Sequence, residues 1–176
     1  SRGAYWLGKA YDKMNDKEKS YKWYEESSKY LTTYYGQLAH LKIKPNENFV
    51  LNEEMSVNEK YKKKFYEKEL VKIVYLLDEL NKDKYTKDIL KHLASENVDN
   101  GSEILAAELA TNISRYDFAI QIAKVASYEK RFHNKFNYPI IGTPKMVNKR
   151  IIPEQAFILS IIRQESEFDI SANSHA

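Results

Sequence analysis

The sequence has no cysteine, only 5 glycines and 4 prolines, and no long apolar run. Without cysteine the chain can hold no disulfide, no thiolate nucleophile and no cysteine-ligated zinc or iron–sulfur site. So few turn-forming residues disfavour a sandwich or barrel of many short strands and favour long helices. No apolar stretch approaches the roughly 18–20 residues that a membrane-spanning helix requires. We therefore expect an all-α chain without a membrane span.

The chain also has no large excess of charge of one sign. Its 28 Lys and Arg residues and 25 Asp and Glu residues leave a net charge of +3. Arginine, the residue best suited to bidentate contacts with bases and phosphates, is scarce and scattered. The 4 histidines, His40, His92, His133 and His175, lack the spacing of a metal site. We therefore predict no nucleic-acid partner, no metal site and no cofactor.

Apolar residues recur at helical spacing along almost the whole chain. Breaks are predicted at the polar segment 45–58, at Asn81–Asp83, at Asn100–Gly101 and at Ser114–Arg115, and Ser56 with Glu59 fits a capping box. In the first helices small residues alternate with aromatic ones, which lets neighbouring helices approach closely, as in tetratricopeptide-like hairpins. Repeat packing accounts for most of the 14 tyrosines, and a sugar- or peptide-binding role stays open for some.

The composition changes after residue 138, since three of the four prolines lie between residues 139 and 153. Proline disfavours helix at its own position and at the preceding one, but it suits the first turn of a new helix. The sequence therefore predicts an α-superhelical scaffold domain over residues 1–138, a linker over residues 139–152, and the first helix of another domain within residues 153–176. This helix is expected to run from Pro153 to Phe168.

Glu165 is the candidate catalytic residue of this last helix. It lies three, four and seven residues after Ile162, Ile161 and Ile158, so helical geometry places its carboxyl on the apolar face. Burial and the negative end of the helix dipole both raise a carboxyl pKa, as a general acid requires. Pairing with Arg163 or with a lysine is the structural alternative. Glu167 is rotated by about 200° on the same helix and is expected to be a solvated acid.

The segment 161–169, Ile-Ile-Arg-Gln-Glu-Ser-Glu-Phe-Asp, resembles the opening of the catalytic domain of soluble lytic transglycosylases, which is similar to goose-type lysozyme. Ser174 follows Glu165 at the spacing of a serine in that family's motif. Further similarity to the helical superhelix that precedes this domain is found at residues 4–10, at Trp23–Tyr24, at residues 32–39 and at Tyr138–Pro139. The resemblance therefore covers nearly the whole chain.

The resemblance implies cleavage of the β-1,4 bond between N-acetylmuramic acid and N-acetylglucosamine in peptidoglycan. Glu165 would serve as acid and then as base, closing a 1,6-anhydro ring on the muramoyl residue with help from its 2-acetamido group. No second catalytic carboxylate is then required, unlike in most glycosidases. Ser174 is expected to hydrogen-bond near Glu165 or the acetamido group. For Ser166 a supporting role and a purely structural role both stay open.

The family's Gly-Ala-x-Gly-Leu-Met-Gln segment is not among the 176 residues, so we expect a truncated catalytic domain without measurable activity of its own. We interpret the chain as an internal piece of a bacterial cell-wall lyase exported to the periplasm, with peptidoglycan glycan strands as its partner. A non-enzymatic tetratricopeptide-like interaction scaffold is the alternative. The two differ in whether a Gly-Leu-Met-Gln block follows in the parent sequence.

Overall fold

The computed structural model describes residues 1–51, 56–144, 146–147, 150–151 and 153–173. Within this part of the chain the fold is all-α, which confirms the expected fold class. The helices are α1 (Arg2–Lys13), α2 (Lys17–Ser28), α3 (Tyr34–Ile43), α4 (Glu59–Tyr66), α5 (Glu69–Glu79), α6 (Asp83–Ser95), α7 (Ser102–Asn112), α8 (Tyr116–Tyr128), α9 (Asn134–Asn137) and α10 (Gln155–Glu165). A short 3-10 helix (Val98–Asn100) precedes α7.

The described residues divide into two compact units, one before and one after the segment 52–55. In the N-terminal unit, α1 packs against α2 and α2 against α3. Its core is built from Tyr5, Tyr24 and Ala39. Gly8 lies under the ring of Tyr24, where an added Cβ would come within 2.8 Å of a ring carbon. The small–aromatic alternation therefore does allow close packing of α1 on α2.

Local hydrogen bonds fix the ends of these first helices. Asp16 accepts a hydrogen bond from the Lys19 amide and caps α2, and Thr33 accepts one from the Gly36 amide and caps α3. Side-chain acceptors at these positions satisfy backbone N–H groups that otherwise have no partner in the first turn.

In the second unit α7 is the central helix, and eight of its eleven residues are buried. It packs against α6 and α8, and α5 packs against α6. The largest fully buried apolar side chains of this core are Phe65, Leu90, Leu93, Leu105 and Leu109. Each of these buried side chains contributes on the order of 1.5–3 kcal/mol, so the second unit holds most of the chain's hydrophobic stabilisation.

One local expectation for this unit is corrected. Helix α4 begins at Glu59 and is capped by Asn58, whose side chain accepts hydrogen bonds from the amides of Lys60 and Tyr61, so the predicted Ser56–Glu59 capping box is not formed. Asn58 sits next to the first helical residue and reaches two free amides at once. In α5 Val71 and Val74 are buried, Leu70 and Leu77 are half-buried, and Ile73 is exposed.

The breaks between helices agree with the sequence. Asn81, Gly101 and Ser114 all have a left-handed backbone, with φ of 53°, 84° and 60°. After the third break, Arg115 forms ion pairs with Asp83 at 2.6 Å and with Asp117 at 2.9 Å. The guanidinium therefore ties the start of α8 to the start of α6.

Within the predicted linker, Met146–Val147 (β1) pairs with Arg150–Ile151 (β2) as a minimal antiparallel hairpin. Residues 145, 148, 149 and 152 of this range lie outside the described residues. The division into domains at residues 139–152 stays a prediction. Among the described residues, no helix combines the length and the apolar character that crossing a lipid bilayer demands.

Candidate active site at the end of helix α10

Helix α10 is shorter than the sequence suggested. It ends at Glu165, and the next residues turn the chain sharply because Glu167 and Phe168 have left-handed backbones with φ of 51° and 66°. None of the side chains of α10 is buried. Phe157 and Ile161 are 57% and 47% exposed. The apolar face that was expected to form part of a core is therefore largely open in this chain.

Glu165 itself is exposed, so the expectation of a buried carboxyl is wrong for this chain. On the same face Ile158 and Ile162 are half-buried and Ile161 is exposed. The burial expected for the Glu165 carboxyl is therefore not found among the described residues. Among the described residues Glu165 also has no ion-pair partner, so the alternative of a pair with Arg163 or a lysine is not realised.

Two cationic side chains contact Glu167, and among the described residues neither of them pairs with Glu165. It accepts a hydrogen bond from Lys124 Nζ at 2.8 Å and lies 3.2 Å from an Arg163 guanidinium nitrogen. The hydrogen bond from Lys124 lowers the pKa of Glu167 and outweighs the opposing effect of its partial burial. The expectation of a freely solvated Glu167 is therefore wrong, because the helix ends before this residue and the left-handed turn directs it toward α8.

Arg163 and Phe168 complete the attachment of this segment to the helical unit. Arg163 Nε donates to the backbone carbonyl of Asn137 at 2.8 Å. Phe168 is buried, and its ring centre lies 6.3 Å from that of Tyr116 at the start of α8. Arg163, Glu167 and Phe168 thus hold the end of α10 on the surface formed by α8 and α9. The sequence had offered Arg163 only as an ion-pair partner of Glu165, and it had indicated no contact for Phe168.

Ser166 lies directly after α10, where its hydroxyl donates to the Ile162 carbonyl at 3.3 Å. This bond satisfies a carbonyl in the last turn, as a helix-ending serine commonly does. Of the two roles left open for Ser166, the structural one is therefore present in this chain. Ser174, the other predicted supporting residue, lies outside the described residues.

A cleft of about 370 Å³ lies beside the candidate acid. Tyr138, Pro139 and Ile140 line one side of the cleft, and residues of α10, Arg163 and Gln164 among them, line the other. Glu165 is not part of its lining. The cleft is mainly apolar, and Phe168 is part of its lining. Arg163 lies in this cleft next to the chain segment that precedes the hairpin. The carboxyl of Glu165 does not face the cleft, so the cleft is not positioned to present a substrate to it.

A cluster of buried charged groups lies elsewhere, around Glu103. Glu103 in the first turn of α7 accepts hydrogen bonds from Arg131 at 2.8 and 3.0 Å and contacts His133 Nε2 at 3.0 Å. Burial alone would raise the pKa of Glu103, but the hydrogen bonds from Arg131 and His133 lower it below its ordinary value. A carboxylate held ionised in this way is a clamp between α7 and the segment after α8, not a proton donor.

A signal for this cluster was present in the sequence. Glu103 directly precedes the run Ile104–Ala110, which is apolar except for Glu108. A charged residue in the first turn of a buried helix requires a partner. The partners Arg131 and His133 lie about 30 residues away, so the spacing alone could not identify them. Among the described residues, no group of three or more acids and histidines is arranged to hold a metal ion.

Comparison with known proteins identifies no family for this chain. No protein-family model matches the chain, no curated protein matches its sequence, and no solved structure matches its fold.

Proposed function

We propose that this chain belongs to a lytic transglycosylase that cleaves peptidoglycan in the bacterial periplasm. The observation that carries the proposal is the Arg163-Gln164-Glu165-Ser166 sequence at the C-terminal end of an apolar helix. In this proposal α1–α9 form a superhelical scaffold, and α10 is the first helix of a catalytic domain similar to goose-type lysozyme. Phe157 and Ile161 support this assignment, because large apolar side chains exposed on one helix are expected where other parts of a domain cover them.

The reaction requires one carboxyl group. Glu165 donates its proton to the glycosidic oxygen while the bond from that oxygen to C1 of the muramoyl residue breaks, and the 2-acetamido group stabilises the positive charge that develops at C1. The deprotonated Glu165 then takes the proton of the C6 hydroxyl, whose oxygen bonds to C1 and closes the 1,6-anhydro ring. The same group acts in both steps, and no water is consumed.

This chemistry places a condition on the surroundings of Glu165. A carboxyl group that donates a proton near neutral pH must be desolvated and must not be held ionised by a neighbouring cation. The second requirement is met among the described residues, since Arg163 and Lys124 contact Glu167 instead. The first requires residues that cover the apolar side of α10, which we assign to the remainder of the catalytic domain in the parent protein.

The test is the formation of 1,6-anhydromuropeptides by the full-length parent acting on purified peptidoglycan. We expect Glu165→Gln to abolish the product while the far-UV circular dichroism spectrum is unchanged. Glu154→Gln is the matched control, because Glu154 is an exposed acid directly before the same helix, and it should leave activity intact. Product formation by the Glu165→Gln variant at the native rate would remove Glu165 from its role.

A non-enzymatic tetratricopeptide-like scaffold is the second candidate. It is supported by the way each helix of α1–α3 and of α5–α8 packs against the next, with small residues such as Gly8 under aromatic rings. A parent protein without a Gly-Leu-Met-Gln block after this segment, and without product in the assay above, would favour the scaffold.

A further inference from the structure

Helices α6 and α8, together with the first turn of α7, line a pocket of about 430 Å³ that we call the α6–α8 pocket. Lys91 and Ser95 of α6 are four residues apart, as are Gln121 and Val125 of α8, so each helix presents one face to this space. The volume falls within the range of about 300–1,000 Å³ that is usual for small-molecule sites. No described residue of α10 lines this pocket, which is therefore separate from the candidate acid.

The walls of the α6–α8 pocket are aliphatic. Ala94 and Ile122 are 7% and 6% exposed, and Val98 is half-buried. Val125 also lines the pocket but is 60% exposed, so the pocket opens to solvent along α8. Aliphatic walls that water can reach favour a ligand with a hydrocarbon chain, because each CH₂ group that leaves water for these walls strengthens binding.

A guanidinium with a fixed orientation lies in the same lining. Arg131 donates from Nε and Nη2 to the buried carboxylate of Glu103, at 3.0 and 2.8 Å. His133 Nε2, 3.0 Å from the same carboxylate, holds Glu103 in place from another side. Two hydrogen bonds to one buried group set the plane of the guanidinium before any ligand arrives, so little conformational entropy is lost on binding.

The third nitrogen of this guanidinium contacts a carboxylate that is only weakly held. Arg131 Nη1 lies 2.7 Å from Glu129, whose side chain is 67% exposed. An exposed ion pair of this kind contributes at most about 1 kcal/mol, so a carboxylate from another molecule can take the place of Glu129. With Glu129 turned to water, the lining cations Lys91 and Arg131 outnumber the one remaining acid, Glu103. Lys91 has no ion pair within the described ranges, and the pocket then suits one anionic group.

We propose that the α6–α8 pocket binds a small aliphatic monocarboxylate, whose carboxylate replaces Glu129 on Arg131 Nη1 and whose chain lies against Ile122 and Val125. A peptide would bring backbone amide groups that require partners when they are buried. The Ser95 hydroxyl already donates to the His92 carbonyl at 2.8 Å, so the lining has little to offer such groups. An aliphatic acid carries its polar atoms at one end, as the arrangement of the lining demands. This proposal does not depend on the proposed function.

The experiment titrates the 176-residue chain with butanoate, hexanoate and octanoate, and with neutral octanamide. Amide chemical shifts identify the site, and we expect changes at residues 91–98 and 121–131. Affinity should rise about threefold to fourfold for each added CH₂ group until the pocket is filled. Octanamide should bind about fivefold to tenfold more weakly than octanoate, because a charge-assisted hydrogen bond to arginine is stronger than a neutral one.

The decisive variant is Glu129→Gln, which we expect to tighten octanoate binding about threefold to fivefold, because the ligand no longer displaces a charged competitor from Arg131. Octanamide binding should not change. Val125→Gln should weaken both ligands severalfold through the loss of aliphatic wall. Lys91→Gln should weaken octanoate alone by about twofold, an effect that fades with salt. Lys72→Gln and Leu76→Gln remove an exposed cation and an exposed aliphatic side chain of α5 outside the pocket and should bind like the native chain.

Arg131→Gln should abolish the preference for octanoate over octanamide, but it also removes the partner of buried Glu103 and is expected to destabilise the fold. Glu129 and Val125 are both mostly exposed, so their variants keep the proposal testable. No shift changes with octanoate up to about 5 mM, equal affinity for octanamide, or unchanged or weaker octanoate binding by Glu129→Gln would each overturn it. Tighter binding of the peptide acetyl-Ala-Ala-Leu than of octanoate would assign the pocket to a peptide terminus and overturn it as well.

Discussion

The clamp at Glu103 makes a stability prediction that can be worked out from its geometry. The Glu103 side chain is 9% exposed and that of its partner Arg131 is 35% exposed. Replacing Glu103 with glutamine removes the charge but keeps the size, and it turns an amide N–H₂ group toward Arg131 or His133. Loss of one partner of a buried pair costs about 3–5 kcal/mol. Because Arg131 can regain water, we expect Glu103→Gln to lower the free energy of unfolding by about 2–3 kcal/mol.

A second ion pair of Arg131, with the exposed Glu129, provides the control. Arg131 also contacts Glu129 at 2.7 Å, and the side chain of Glu129 is 67% exposed. Exposed ion pairs contribute at most about 1 kcal/mol, so Glu129→Gln should change stability little. Urea denaturation followed by far-UV circular dichroism measures both variants. Trp6 and Trp23 lie in the N-terminal unit, so tryptophan fluorescence reports on that unit separately and should not change.

The pH dependence has a defined sign. The pKa of Glu103 in the folded chain is below its ordinary value of 4.5, so the stabilising effect of the carboxylate is complete above roughly pH 5. It is lost as the pH falls through the lower, folded-state pKa. The stability difference between the native chain and Glu103→Gln should therefore shrink in acid. Equal effects of Glu103→Gln and Glu129→Gln at pH 7, or a difference that grows as the pH falls, would refute this reasoning.

Two further predictions concern packing and the attachment of α10. Gly8→Ala should destabilise the N-terminal unit by about 1–3 kcal/mol in urea denaturation followed by tryptophan fluorescence, because the new Cβ meets the buried Tyr24 ring. Gly3→Ala in the same helix meets nothing within 4 Å and should be neutral or stabilising by up to about 1 kcal/mol, and a loss equal to that of Gly8→Ala would contradict the explanation. Lys124→Met should speed amide hydrogen exchange at residues 166–168 severalfold, and an unchanged exchange rate would show that the contact with Glu167 does not hold this turn.

Much of the fold could be predicted because its signals are local. The breaks at Asn81, Gly101 and Ser114 lie where the sequence placed them, since asparagine, glycine and serine are among the residues that tolerate tight turns. The capping role of Thr33 is likewise decided by the few residues that follow it.

The contacts of the candidate site are not local, and most of them could not be predicted. Glu167 was placed by extending the helix past Glu165, whereas the helix ends there and a left-handed turn follows. The partners Lys124 and Tyr116 are more than 40 residues distant in the sequence, and no spacing rule connects them to the motif. The burial expected for Glu165 followed from an apolar stripe, but a stripe indicates which face can be covered and not what covers it.

The residues of the motif divide into two groups with different tasks. Arg163, Glu167 and Phe168 hold the segment to α8 and α9, and Glu165 takes no part in those contacts. This division matters for an acid, because a cation beside a carboxyl group favours its ionised form and opposes proton donation. Glu167 engages both Arg163 and Lys124, the two cations of the segment's contact with α8. With both cations paired to Glu167, Glu165 has no ion-pair partner among the described residues, as the proposed chemistry requires.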